Sequence, residues 1–174
     1  MSAIEHVELT TASGQSFQLA EAVPAEAEVV RQLLVEAAEW MQRSGIDQWK
    51  PEFFSLQAVQ AYFNHRRIFV AYDRGTPAGM FTLQNSDPGY WKENDDPDYY
   101  YLHRLTVSVP YRSCGLGKAM LEWAVEKAGR DRKKGLRLDC RRISGKLNSF
   151  YQNQGFRFKG ISEQADHLAN LYER

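Results

Sequence analysis

Hydrophobic positions along the chain follow two different periods, and the period near 3.6 residues predicts four helices. The first helix opens at Pro24, and its apolar residues from Val29 to Trp40 recur at helical spacing. A second stripe begins at Leu116 and includes Trp123 and Lys127. The predicted helices cover residues 24–45, 55–64, 115–130 and 144–154.

Short β-rich runs between turn residues predict the strands. A turn at residues 73–76 joins two such runs into a hairpin, whereas residues 85–98 are predicted to form a long loop. The predicted strands cover residues 16–20, 67–72, 78–83, 99–107, 136–140, 156–160 and 167–172. This order predicts an α/β layer with a mixed sheet, with hairpins in the first half and helical crossovers in the second.

The bulk properties predict one domain with a small or locally recognised partner. The 174 residues suit a single domain over 15–174, preceded by a polar N-terminal arm over 1–14. Lys and Arg number 22, as do Asp and Glu, so the charge favours neither nucleic acid nor a membrane as partner. The two cysteines, Cys114 and Cys140, form no disulfide framework and no metal-ligand spacing. With no leader or membrane-spanning run, we expect a cytoplasmic protein without a metal.

A glycine-containing turn joins the strand that ends at Val107 to the next helix, and it has the features of an anion site. Backbone N–H groups at the start of a helix have no intrahelical partner, and they form the positive end of the helix dipole. Arg112 adds a planar set of donors suited to phosphate oxygens. A P-loop and a dinucleotide fingerprint are both excluded, because Gly-Lys-Ser/Thr is missing and residue 120 is methionine.

Three segments together resemble the GNAT superfamily of N-acetyltransferases. They are Arg112-x-x-Gly115-x-Gly117, the strand Tyr101 to Val107 before it, and Phe150-Tyr151-x-x-x-Gly155-Phe156. The resemblance implies an acyl-CoA N-acyltransferase fold, in which helices flank a mixed, mostly antiparallel central sheet with a splayed pair of parallel strands. It also implies a bulge near Arg104, which splays its strand from residues 136–140 and admits acetyl-CoA.

The resemblance further implies a set of cofactor-binding residues. Ser144 stands where many members carry an asparagine, Asn148 lies one turn later, and capping of the helix is the alternative role for Ser144. Residues 105–107 are expected to pair with the pantetheine arm of the cofactor, and the alternative is that they belong to a fully paired central strand. The cofactor residues are Leu105, Thr106, Val107, Arg112, Ser113, Cys114, Gly115, Leu116, Gly117, Lys118, Ser144, Asn148 and Tyr151.

Two residues are the candidate acid and base. Tyr151 matches the family's tyrosine, and a phenol with a pKa near 10 can protonate a thiolate whose thiol has a pKa near 8.5. His103 lies two residues before Leu105, and an imidazole with an ordinary pKa near 6.5 can accept the proton of the amine. The alternatives are a packing tyrosine and a structural histidine. Tyr101 occupies the position at which histone-acetylating members carry a glutamate base. The absence of that base weakens an assignment as a histone acetyltransferase.

Aromatic residues before the central strand are candidates for the acceptor pocket, with simple packing as their alternative role. The loop 85–98 carries an acidic excess with Tyr90 and Trp91, which could attract a cationic amine. Basic residues 130–134 are interpreted as the solvated end of a helix. The acceptor candidates are Trp40, Met41, Gly45, Gln48, Trp49, Phe53, Phe54 and Trp91.

The sequence therefore predicts an acetyl-CoA-dependent N-acetyltransferase. Cys114 lies at the diphosphate loop and Cys140 ends a strand, so neither is placed as an acyl carrier, and direct transfer to a primary amine of a small molecule is expected. The alternatives are a protein N-terminal or lysine acetyltransferase and a non-catalytic acyl-CoA-binding module. A homodimer is left open.

Overall fold

The computed structural model describes residues 6–174, which divide into two compact units. The first unit extends to Thr82 and includes Arg104–Leu121, and the second comprises Leu83–His103 and Glu122–Arg174. Within the described residues, none of the helices combines the length and the apolar character needed to cross a bilayer.

The first unit packs two helices on neighbouring antiparallel strands. Strands β1 and β2 pair antiparallel, as do β2 and β3, and β4 follows β3 in the sheet. Helix α1 buries a face that includes Val30 and Leu34 against Val59 of α2 and Ile68 and Val70 of β3. The elements are β1 (Val7–Thr10), β2 (Ser16–Glu21), α1 (Ala27–Arg43), α2 (Leu56–Tyr62), β3 (Arg67–Asp73) and β4 (Thr76–Gln84, which ends in the second unit).

Local sequence signals set the helix boundaries in this unit. Pro24 opens a 3-10 turn (Pro24–Glu26) that leads into α1. The Ser55 side chain accepts a hydrogen bond from the backbone N–H of Ala58 at 3.1 Å, which caps α2. Both helices are thus placed as the sequence predicts.

Three elements cross from one unit to the other along the chain. They are strand β4, strand β5 (Tyr99–Val107) and helix α4 (Leu116–Arg130). The other elements of the second unit are α3 (Pro88–Trp91), β6 (Gly135–Arg141), α5 (Gly145–Asn153), β7 (Arg157–Glu163) and β8 (Leu168–Glu173). Strands β5 and β6 pair parallel, and β8 pairs antiparallel with both β6 and β7.

Strands β5 and β6 separate after a short parallel stretch. Their register covers three pairs, from Tyr99–Gly135 to Tyr101–Arg137, although β5 continues to Val107. The rest of β6 pairs with β8. Arg104 adopts a left-handed φ of 57°, which is unusual for a residue with a side chain and typical of a bulged strand. The expected splayed parallel pair and the mostly antiparallel mixed sheet are confirmed.

The N-terminal region and the long loop hold more regular structure than the sequence indicates. Residues 1–5 of the expected arm lie outside the described residues, whereas Val7–Thr10 form β1 and pair with β2. The segment predicted as loop 85–98 contains α3 and a 3-10 turn (Lys92–Asn94). Short polar segments carry too weak a periodicity to reveal either feature.

Candidate active site

The turn between β5 and α4 has the backbone pattern of an anion-binding nest. Ser113 and Gly115 have φ values of 65° and 89°, so the chain alternates in hand along the turn, which is the pattern that groups successive N–H donors around an anion. Across residues 6–174, none of the described hydrogen bonds uses the amide N–H groups of residues 113–118. This arrangement fits an anion such as a diphosphate.

Arg112 is held rigidly beside this turn. Its Nε donates to the backbone oxygen of Val107 at 3.2 Å, and its guanidinium carbon lies 3.9 Å from the centre of the Trp40 ring. Burial lowers the pKa of Arg112, while the Glu36 carboxylate opposes that shift. The side chain is therefore oriented by contacts within the protein before any ligand binds.

Glu36 of α1 ties the helix to the start of the same turn. Its carboxylate accepts hydrogen bonds from the Ser108 hydroxyl at 3.0 Å and from the Val109 N–H at 2.9 Å. Glu36 carries no local signal in the sequence, because its partners lie more than 70 residues away in the chain.

His103 lies between two carboxylates of the second unit. Its Nε2 is 2.9 Å from Oδ2 of Asp87, and its Nδ1 is 3.7 Å from Oδ1 of Asp139. The ring of Tyr90 packs at a tilt against the imidazole, with 6.2 Å between centres. A half-buried imidazole next to a carboxylate is a plausible proton acceptor by its chemistry.

Tyr151 is 5% exposed and packs within an aromatic cluster. The centres of the Phe150, Phe156 and Tyr172 rings lie 5.4, 6.0 and 6.3 Å from its own. Burial raises the pKa of Tyr151, and Cys140 and Asp139 raise it further. The phenol therefore keeps its proton at neutral pH, as a general acid must.

The family model for the acetyltransferase (GNAT) family matches residues 34–156, which include the amide turn, His103 and Tyr151. The chain belongs to the GNAT acetyltransferase family. A relative from Bacillus subtilis (strain 168), the uncharacterized N-acetyltransferase YesJ, is 30% identical over 158 residues, covering 87% of this chain and 88% of the relative.

Solved structures of GNAT acetyltransferases share the fold. A GNAT-family acetyltransferase from Listeria monocytogenes 4b F2365 superposes with a TM-score of 0.79 at 23% identity, covering 97% of this chain and all of the other. RimL, a ribosomal L7/L12 α-N-protein acetyltransferase in complex with coenzyme A, superposes with a TM-score of 0.71 at 16% identity, covering 98% and 97% of the two chains.

The predicted cofactor residues differ in how far they are buried. Residues 105–107 are half-buried, and a Cβ on Gly79 would lie 2.9 Å from the Thr106 oxygen, so β4 passes close to this part of β5. At the turn, Leu116 is buried and Gly117, Cys114 and Arg112 are half-buried. Ser113, Gly115 and Lys118 are exposed.

Asn148 is engaged entirely within the protein. Its amide nitrogen donates to the backbone oxygens of Arg141 and Ser144 at 3.0 and 2.9 Å. Its Oδ1 accepts hydrogen bonds from side chains of the neighbouring strands: Cys140 at 3.1 Å, Asn170 at 2.8 Å and Tyr172 at 2.7 Å. Asn148 thus links α5 to β6 and β8, and its contact with the cofactor stays a prediction.

Ser144 occupies the N-cap position of α5, which is the alternative role that the sequence leaves open, but its side chain makes no capping hydrogen bond. Cys140 is buried, and this burial raises the pKa of its thiol to about 12. A thiol that stays protonated is a poor nucleophile, which agrees with the expectation that Cys140 carries no acyl group.

The candidate acceptor residues separate into three positions. Trp40 packs on Arg112 at the amide turn. Trp49 packs against Arg104, the residue of β5 with a left-handed φ, with 5.0 Å from the guanidinium carbon to the ring centre, and Gln48 beside it is half-buried. Trp91 is 3% exposed and packs on Tyr101 in the core, so its ring offers no accessible acceptor surface.

The acidic excess of residues 85–98 is partly neutralised. Lys134 lies 3.0 Å from Asp96 and 3.3 Å from Asp98, measured between nitrogen and carboxylate oxygen. Lys133 donates to the Pro97 oxygen at 2.7 Å. Lys133 and Lys134, which follow α4, therefore hold this loop, and this weakens the hypothesis that it steers a cationic amine.

Asp87, His103 and Asp139 also have the residue types of a metal site, and one potential ligand atom of each lies within 4.8 Å of the others. The 2.9 Å between Asp87 and His103 is the length of a direct hydrogen bond. We therefore interpret the group as an imidazole hydrogen-bonded to a carboxylate. A measurement of the metal content of the purified protein distinguishes this arrangement from a metal site.

Proposed function

We propose that the chain is an acetyl-CoA-dependent N-acetyltransferase that transfers acetyl directly to a primary amine of a small molecule. The observation that carries this proposal is the run of backbone amides at residues 113–118 that no described hydrogen bond uses, next to the Arg112 guanidinium that is held by the Val107 oxygen. Family membership supplies the reaction class.

The residues present fit the cofactor. The amides of residues 113–118, with Arg112, would hold the diphosphate through charge-assisted hydrogen bonds. Leu105, Thr106 and Val107 would pair with the amide-bearing pantetheine arm as an added strand does. Ser144 remains a candidate for a further contact with that arm. The coenzyme A complex of RimL, which shares the fold, supports this assignment.

Each chemical requirement of the transfer has a candidate group. His103 accepts the proton that the amine loses, directly or through water, while the nitrogen bonds to the thioester carbonyl carbon. An amide N–H at the bulge polarises the carbonyl oxygen as negative charge develops there. The carbon–sulfur bond breaks with its electron pair on sulfur, and Tyr151 gives that sulfur its phenolic proton. The products are an amide and the CoA thiol, and exchange with solvent restores His103 and Tyr151.

The acceptor is the least constrained part of the proposal. Trp49 and Gln48 lie on the segment between α1 and α2, and Trp49 contacts the bulge residue Arg104. A half-buried aromatic ring beside the reacting strand suits a compact organic amine better than an extended peptide. This supports a small-molecule acceptor.

Thiol release from acetyl-CoA tests the function. A thiol-reactive chromophore would be read with amino acids, polyamines, aminosugars, arylalkylamines, and peptides with a free N-terminus or lysine, against an amine-free baseline. Steady release with a small amine and none with peptides supports the proposal. Release with peptides alone would indicate a protein acetyltransferase. Tight cofactor binding with no release from any amine would indicate a binding module.

A further inference from the structure

The contact between Asp87 and His103 constrains which imidazole nitrogen carries the proton. Asp87 is 7% exposed, and its Oδ2 lies 2.9 Å from Nε2 of His103. An ionised carboxylate can only accept hydrogen bonds, so this contact requires a proton on Nε2. In the neutral imidazole, Nδ1 is then the nitrogen that accepts a proton.

Asp87 is itself fixed by the loop before β5. Its backbone N–H donates to Oδ1 of Asp95 at 2.7 Å, and its carbonyl accepts the N–H of Trp91 at 2.9 Å. The Ser86 hydroxyl donates to the other oxygen of Asp95 at 2.7 Å. Because the Trp91 side chain is buried, this loop is anchored in the core and presents the carboxylate at a set position.

The groups that face the imidazole come from three segments. Asp87 lies before α3, Asp139 lies on β6 with its Oδ1 3.7 Å from Nδ1, and the Tyr90 ring covers one side. Asp87 and Asp139 thus place two carboxylates next to the imidazole, one on each ring nitrogen.

We propose that Asp87 is a positioning residue for His103: it holds the imidazole in the Nε2–H tautomer, so that Nδ1 takes the proton of the acceptor amine. The kinetic part of this inference rests on the proposed function, whereas the tautomer does not.

Nitrogen-15 NMR of the histidine side chains tests the tautomer in the unliganded protein. The His103 signals are assigned by their loss in His103→Gln. We expect the Nε2–H pattern in the wild type and its loss or mixing in Asp87→Asn. A wild-type Nδ1–H pattern would overturn the proposal even if the enzyme is an acetyltransferase.

Asp166→Asn is the matched control, because it alters an aspartate–histidine pair of the same unit in which Oδ1 lies 2.7 Å from Nδ1 of His167. It should change the His167 signals, and it can shift those of His103 slightly through Tyr90, whose hydroxyl lies 3.3 Å from Nε2 of His167, but it should leave the Nε2–H pattern of His103 and the turnover unchanged. Asp87→Asn should lower kcat by about tenfold or more with the CoA Kd unchanged, and Asp87→Glu should recover part of it. Wild-type kcat in Asp87→Asn, or one equivalent of tightly bound divalent metal in the purified protein, would contradict the positioning role.

Discussion

The guanidinium carbon of Arg112 lies over the ring of Trp40, 3.9 Å from its centre, while Nε of Arg112 donates a hydrogen bond to the Val107 oxygen. The stack and the hydrogen bond fix the plane of the donor group next to the amide turn. Trp40, expected from the sequence in the acceptor pocket, thereby contacts the side chain next to the proposed cofactor loop.

Replacing Trp40 by Leu should weaken coenzyme A binding about fivefold, since a cation–π contact contributes ~1 kcal/mol. The planar ring of Phe in Trp40→Phe should keep most of the affinity. Titration calorimetry with coenzyme A measures both variants. Equal affinities for wild type and Trp40→Leu would show that the stack does not orient Arg112 for binding.

Replacing Glu36 by Gln should destabilise the first unit and loosen the turn. The carboxylate accepts hydrogen bonds from the Ser108 hydroxyl and the Val109 N–H, and an amide can satisfy only part of that set. We expect a loss of about 1–2 kcal/mol in the free energy of unfolding by urea denaturation, together with weaker coenzyme A binding. Glu39→Gln, at an exposed position of the same helix, is the control and should change neither. An unchanged unfolding curve for Glu36→Gln would refute this role.

Replacing Gly117 by Trp should remove coenzyme A binding without unfolding the protein. A Cβ there would lie 3.6 Å from Cγ2 of Val107, an ordinary contact, so Gly117→Ala should bind nearly normally. An indole at the same place would cover the amides that the diphosphate needs. Calorimetry and circular dichroism together separate the two effects. Normal coenzyme A binding by a folded Gly117→Trp variant would show that this loop does not bind the diphosphate.

Replacing Tyr151 by Phe should lower kcat at least about tenfold with little change in the CoA Kd, because only the proton donor is lost. Tyr172→Phe is the matched control. The Tyr172 hydroxyl donates to Asn148 at 2.7 Å, so its loss should lower the melting temperature and leave kcat nearly unchanged. Full turnover in Tyr151→Phe would assign the proton transfer to water.

Cys140 should make the fold lose stability in alkali. Its thiol has a pKa of about 12 in the folded protein, raised from 9.0 mainly by burial. The unfolded chain therefore releases this proton first, so the stabilisation is complete below pH 9 and is lost as pH rises from there toward 12. At pH 10 the loss should be about 1 kcal/mol. Cys140→Ser, which keeps a donor for Asn148, should show a shallower decline in urea unfolding between pH 8 and pH 10. Identical slopes would exclude Cys140 as the source.

Much of the fold follows from periodicity and local signals. The helices opened by Pro24 and capped by Ser55, and the strand over 99–107, lie where the sequence predicts them. Strand β1 is missed because four residues with one buried side chain show no distinct alternation.

The site is predictable only where chemistry lies in one segment. The amide turn and the Phe-Tyr-x-x-x-Gly-Phe segment are contiguous motifs, so the sequence reveals them. Glu36 and Asp87 act on residues 72 and 16 positions away, and pairings of that kind come from the tertiary fold. Asn148 shows that a motif alone does not reveal the contacts of a nearby polar residue. Its side chain bonds to the neighbouring strands in the core, although the sequence predicts a contact with the cofactor.

Titration calorimetry of acetyl-CoA into the folded wild-type protein tests the central claim most directly. We expect saturable binding of one molecule per chain, which Gly117→Trp abolishes and Gly117→Ala retains. Absence of saturable heat with acetyl-CoA and with coenzyme A, on protein shown to be folded, would contradict it.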